Sequence, residues 1–69
     1  MQGYVKWFDI ARGYGFLTGQ DNQDYFAHYS AIEGRGYKSL TKGEEVGFEI
    51  EKDEQGRYRA ANIQKLEVI

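Results

Sequence analysis

Apolar and polar residues alternate over short stretches of this chain, and glycines or Asp/Asn clusters separate those stretches. From Glu45 to Glu51, Val46, Phe48 and Ile50 alternate with Gly47, Glu49 and Glu51. Successive strand side chains point to opposite faces. The segment therefore reads as a half-buried strand with one apolar and one solvated face. The same pattern predicts strands at Gly3 to Phe8, Tyr14 to Thr18, Asp24 to His28 and Tyr58 to Leu66. Asp21-Asn22-Gln23 has the composition of the turn joining the second and third strands, and Asp53-Glu54-Gln55-Gly56 that of the turn joining the fourth and fifth. The long connection from Tyr29 to Gly43 contains Ser30-Ala31-Ile32-Glu33, which has capping-box spacing with Ser30 at the cap. Gly34 and Gly36 follow so closely that it supports a single helical turn. No other stretch keeps a helical apolar period over three turns. Five short strands with two sheet edges to hide predict an all-β fold closed into a small barrel.

The two central strands carry an unusual outer face. Tyr14 and Phe16 share one side of the second strand, Gly15 and Leu17 the other. In the third, Asp24, Phe26 and His28 share one side, Tyr25 and Ala27 the other. Assigning the small and aliphatic residues to the interior sends Tyr14, Phe16, Phe26 and His28 outward together. The reversed assignment would bury Asp24 and His28. Lys6-Trp7-Phe8 places two rings in succession, on opposite faces unless a bulge intervenes.

Length and composition sharpen this picture. A chain of 69 residues is one domain with a thin core. There is no cysteine, so disulfides and thiolate metal sites are excluded. That absence fits a reducing cytoplasm. Neither a secretory signal nor a bilayer-length apolar run is visible, so a soluble cytoplasmic protein with no membrane partner is expected. The net charge of -2 argues against a partner held by bulk electrostatics. Yet the chain has eleven Phe, Tyr and Trp rings, more than so small a core can hide. Clustered exposed rings mark a binding surface.

The chemistry of catalysis is missing from the pattern. His28 is the only histidine, and Asp24 is the nearest carboxylate on its face. No metal site, no cofactor and no nucleophile–base pair can be assembled from these residues. Gly13-Tyr14-Gly15 lacks the third glycine and the following helix of a phosphate loop. Glu44-Glu45 beside Gly43 reads as solvated turn chemistry.

Lys6-Trp7-Phe8, Gly13-Tyr14-Gly15-Phe16-Leu17 and Asp24 through Ile32 together resemble the bacterial cold-shock proteins. Gly36-Tyr37-Lys38-Ser39-Leu40 and Ala60-Ala61-Asn62-Ile63 match the same family in order and spacing, so the resemblance spans essentially residues 1–69. It implies a five-stranded antiparallel oligonucleotide-binding (OB-fold) barrel with two ribonucleoprotein-type motifs, here Arg12 to Leu17 and Tyr25 to Tyr29. Carried over by motif position, the base-contacting residues are Lys6, Trp7, Tyr14, Phe16, Asp24, Phe26, His28, Tyr29 and Tyr37. Alternation independently selects Tyr14, Phe16, Phe26 and His28, while Trp7, Tyr29 and Tyr37 rest on the resemblance. Lys6, Arg12, Lys38, Arg57 and Arg59 are the cations expected to supply local positive potential around the rings.

The chain departs from the family at several places. Asp9 stands where asparagine is usual, and Arg12 replaces lysine. Tyr25 and Ala27 occupy positions where two valines are common. Arg57-Tyr58-Arg59 replaces a glycine-proline-glutamine turn, and tyrosine replaces phenylalanine at positions 14, 29 and 37. The expected function is capture of single-stranded RNA and DNA by stacking, with an ATP-independent RNA-chaperone role that extends to transcription and translation. No protein partner is required; a monomer is expected, with a strand-exchanged dimer as the alternative. The competing readings are a barrel whose aromatic face docks another protein, and an enzyme on the same scaffold.

Overall fold

Alternation carries directly into the strands of the computed structural model, which describes residues 1–34 and 39–66. The strands are β1 (Gln2–Asp9), β2 (Tyr14–Gly19), β3 (Asp24–His28), β4 (Glu45–Lys52) and β5 (Tyr58–Lys65), within one residue of the expected bounds. They close into a barrel in the order β1-β2-β3-β5-β4. Four pairings are antiparallel. The fifth, β3 with β5, is parallel, which qualifies the antiparallel barrel expected from the resemblance. An odd number of strands cannot alternate in direction all the way round a closed ring, so one pairing has to run parallel.

Both expected tight turns form. Between β2 and β3 the Gly19 amide donates to the Gln23 carbonyl over 2.9 Å. Asn22 takes the left-handed conformation there, at φ 65°. Between β4 and β5 the Asp53 carboxylate accepts from the amides of Gln55 and Arg57, and Gly56 has φ 82°.

The interior is filled by the side chains that alternation sends inward. Val5, Leu17, Ala27, Val46 and Ile63 are almost fully buried, with Tyr25 and Phe48 packed ring to ring at 5.5 Å. Ile32 and Leu40 from the long β3–β4 connection join the same core. Ile50 is the exception. It shares a face with Val46 and Phe48 in the pattern, yet it is 39% exposed. The β4–β5 register shifts between Gly47 and Glu49, and beyond that irregularity the strand carries Ile50 past the packed interior.

Two local features differ from the pattern. The single turn of helix is a three-residue 3-10 turn, Tyr29–Ala31, capped by His28 and not by Ser30. The His28 imidazole accepts from the Ser30 amide at 3.2 Å, so Ser30 is the capped residue. The register of β1 against β2 also shifts between Val5 and Trp7. Val5 points inward, Lys6 and Trp7 both lie on the exposed side, and Phe8 packs partly against the core. A bulge thus resolves the Trp7–Phe8 ambiguity in favour of an outward Trp7. Gly15 allows the strands to meet there: a Cβ on it would collide with the Trp7 carbonyl oxygen and lie 2.6 Å from Phe8 Cα.

Candidate nucleic-acid interface

Strand register assembles the outer face in rows. Trp7 on β1 is the partner of Phe16 on β2, and Phe16 is the partner of Phe26 on β3. Phe26 pairs with Arg59 on β5, and Arg59 with Glu51 on β4. One row therefore crosses all five strands: three rings, then a cation, then a carboxylate. A second row, displaced by two residues along the strands, runs Asp9–Tyr14–His28.

The rings touch within and between rows. Trp7 lies 5.6 Å from Phe16 and 6.0 Å from Tyr14, centroid to centroid. Phe26 lies 5.8 Å from Phe16 and 5.9 Å from Tyr14. These are tilted and edge-on contacts, the arrangement that ring quadrupoles favour. They also hold the rings as one platform: Trp7 and Phe26 remain exposed at 39% and 36%, with Tyr14 and Phe16 half-buried between them. The outward side of β2 and β3 is thus aromatic, as alternation predicted, and Gly15, Leu17, Tyr25 and Ala27 are inside.

At one end of the platform, His28 and Tyr29 stack at 4.5 Å. Tyr29 is half exposed and its ring covers Gly13 so closely that a Cβ there would stand 2.7 Å from ring carbon Cδ1. Gly13 also has φ 78°, a conformation suited to glycine. The Tyr29 amide donates to the Gly13 carbonyl over 2.8 Å, which ties the β1–β2 turn to the start of the 3-10 turn. Because His28 Nδ1 accepts from the Ser30 amide, the neutral ring carries its proton on Nε2.

Among the described residues, Lys6, Arg12 and Arg59 on this face each have an acidic partner. Lys6 Nζ lies 2.6 Å from Asp24 Oδ2, and Thr18 Oγ1 donates to the other oxygen over 3.0 Å. These contacts, Lys6 first, hold the Asp24 carboxyl below the ordinary carboxylate range. Arg12 stands 3.8 Å from Asp9 and donates to the Tyr14 hydroxyl over 3.4 Å. Arg59 is 3.4 Å from Glu51. Arg57 lies before β5, in the turn, where its Nε is 3.0 Å from Asp53 Oδ2, so its place is beside the face and outside the rows. Tyr37 and Lys38 lie outside the described residues.

Sequence reading missed Glu51 and Thr18 as members of this neighbourhood. Glu51 escaped because counting outward from a four-residue Asp53–Gly56 turn pairs it with Tyr58; in the structure the Asp53 amide donates to the Arg57 carbonyl, and that one-residue difference sets Glu51 opposite Arg59. Thr18 carries no signal in the pattern, since only its bond to Asp24 sets it apart.

Residues 1–66 match the family model described as the 'Cold-shock' DNA-binding domain. The chain belongs to the cold-shock domain family. A cold shock-like protein CspC of Bacillus cereus is 48% identical over 66 residues, covering 96% of this chain and all of that protein. The major cold shock protein of Streptococcus pyogenes serotype M1 is 46% identical over 65 residues, 94% of this chain and 96% of its own length. Cold shock protein CspC of Bacillus subtilis is 45% identical over 64 residues, 93% of this chain and 96% of its own length. A nucleic-acid-binding cold-shock protein is the reading that these likenesses and the closed barrel share. Among the described residues of this cold-shock domain, no group of His, Asp or Glu could hold a metal ion, and no helix is long and apolar enough to cross a membrane.

Proposed function

We propose that this cold-shock protein binds single-stranded RNA and DNA by stacking bases on Trp7, Tyr14, Phe16, Phe26 and His28, with Tyr29 extending the platform. The observation that carries the reading is the cross-strand ring row Trp7–Phe16–Phe26 on one exposed face. Each base stacked on an aromatic side chain contributes about 1–3 kcal/mol and does so for any sequence. Stacking also reconciles binding with an acidic chain in which Lys6, Arg12 and Arg59 on that face are paired. Bases inside a duplex are already stacked on each other, so duplexes bind poorly.

Capture of unstacked bases supplies an RNA-chaperone activity. The protein holds strands open by mass action and needs no ATP. The molecule acts as one cold-shock domain in the cytoplasm, as a monomer. It carries out no catalysis; Lys6, Arg12, Lys38, Arg57 and Arg59 supply local positive potential for the strand, and Tyr37 contacts a base.

Titrating the protein with a short pyrimidine oligonucleotide, read by Trp7 fluorescence, tests the core of this proposal. Saturable quenching by the single strand and little by its duplex is expected. No quenching, or equal quenching by the duplex, overturns it. Melting of a labelled RNA hairpin without ATP tests the chaperone step.

A further inference from the structure

The row of rings does not end in a ring. Beyond Phe26 the barrel surface sinks into a groove of about 260 Å³ between β3 and β5. Phe26, His28, Ser30, Glu51, Arg59 and Asn62 are among its lining side chains. Phe26 supplies an apolar wall at one side. Arg59, its direct partner in register, and Glu51, the partner of Arg59, supply a cation and a carboxylate next to each other. Both charged side chains are about half exposed. Their contact is long, 3.4 Å, and uses one guanidinium nitrogen and one carboxylate oxygen. Arg59 thus keeps further donors and Glu51 a further acceptor for something else in the groove.

A base that enters with its face on Phe26 presents its polar edge to this pair. Guanine alone has two adjacent N–H donors on its Watson–Crick edge, beside a carbonyl oxygen. The two donors suit the two oxygens of one carboxylate, and the carbonyl suits a guanidinium. Thymine and uracil flank a single N–H with two carbonyls, which a carboxylate repels. Adenine and cytosine each present one amino group to the carboxylate. Resting on the single-strand reading above, we infer that the Glu51–Arg59 pair beside Phe26 forms a guanine-selective subsite at the β5 end of the stacking platform.

The test compares affinities within each protein variant, so a general loss of binding cancels. A seven-nucleotide thymidine strand is titrated alongside versions with one central guanine, adenine or cytosine, with Trp7 fluorescence as the readout. The guanine strand is expected to bind about tenfold tighter than the thymidine strand, the discrimination that one bidentate contact supplies. Adenine has the same ring size and controls for stacking area; its strand is expected to gain less. In Glu51→Gln, which loses the paired acceptors, the guanine-to-adenine ratio falls to about one, and Arg59→Gln lowers the guanine-to-thymidine ratio. Thermal unfolding verifies that both variants are folded. Equal binding of all four strands overturns the guanine subsite and leaves the single-strand reading standing. A guanine preference that survives Glu51→Gln also overturns it, since selection then arises elsewhere. If no strand binds, the single-strand reading itself fails.

Discussion

Phe26 and Arg59 are direct partners across the parallel β3–β5 pairing. They are far apart in the chain, and no hairpin joins them. Their contact exists because the barrel closes, and it sets a ring and a cation side by side where the platform meets the groove. The proposed binding surface is therefore not a β2–β3 feature alone. The row that carries it runs from Trp7 on β1 to Glu51 on β4.

Removing one platform ring is expected to weaken binding without unfolding the barrel. Phe16→Ala, Phe26→Ala and His28→Ala should each cost about 1–3 kcal/mol of affinity for a pyrimidine strand. Leu17, fully buried, is the contrast: Leu17→Ala should cost about 2–5 kcal/mol of stability. Oligonucleotide titration and thermal unfolding on the same four variants separate the two effects. A ring variant as unstable as Leu17→Ala would show that the ring belongs to the core.

Affinity should depend only shallowly on salt. Lys6, Arg12, Arg57 and Arg59 each already stand beside a carboxylate, which limits the counterions that a bound strand releases. Three or four phosphate contacts correspond to a log-log slope of roughly -2 to -3 for a single strand. Titrations across a salt series measure it. A slope near -6 would mean that cations, not rings, dominate binding.

Asp9→Asn should tighten binding modestly, with the larger gain at low salt. Asp9 Oδ1 accepts from the Arg12 amide at 3.1 Å, a bond that an asparagine oxygen can keep, so the turn should survive. What the substitution removes is a negative charge beside Tyr14 and its exposed pairing with Arg12, worth only about 0–1 kcal/mol. Affinity measured at two salt concentrations decides the matter. Unchanged or weaker binding at low salt places Asp9 outside the site.

Stability should be lost in acid. The Tyr25 hydroxyl holds Asp21 below its ordinary value of 3.8; Lys6 and then Thr18 do the same for Asp24, and the Arg57 amide for Asp53. A carboxyl whose folded pKa is depressed stabilises the fold above its unfolded value, and that contribution disappears as pH falls through the folded one. Stability from these three groups is therefore full above about pH 5 and declines below about 4. Denaturant unfolding as a function of pH should show a shallower acid decline in Asp53→Asn than in the parent chain. An identical decline would remove Asp53 from the acid-sensitive set.

What the sequence by itself determined is local. Strand alternation follows from backbone geometry with a period of two, so the inward Leu17 and Ala27 and the outward Phe16, Phe26 and His28 were legible from neighbours alone. Turn chemistry at Asn22 and Gly56 is equally local, because those residues tolerate positive φ. Only the tertiary structure decided the rest. The β1 bulge that exposes Trp7 depends on how β1 meets β2 across Gly15, and the alternation of β1 was compatible with either ring outward. The choice of His28 over Ser30 as the cap depends on where β3 delivers its last side chain. The exposure of Ile50 depends on a register shift against β5. Most of all, the Phe26–Arg59–Glu51 end of the row depends on barrel closure, which pairs strands distant in sequence in a direction that the odd strand count imposes. Local periodicity decides which face a residue takes; only closure decides which other residues share that face beside it.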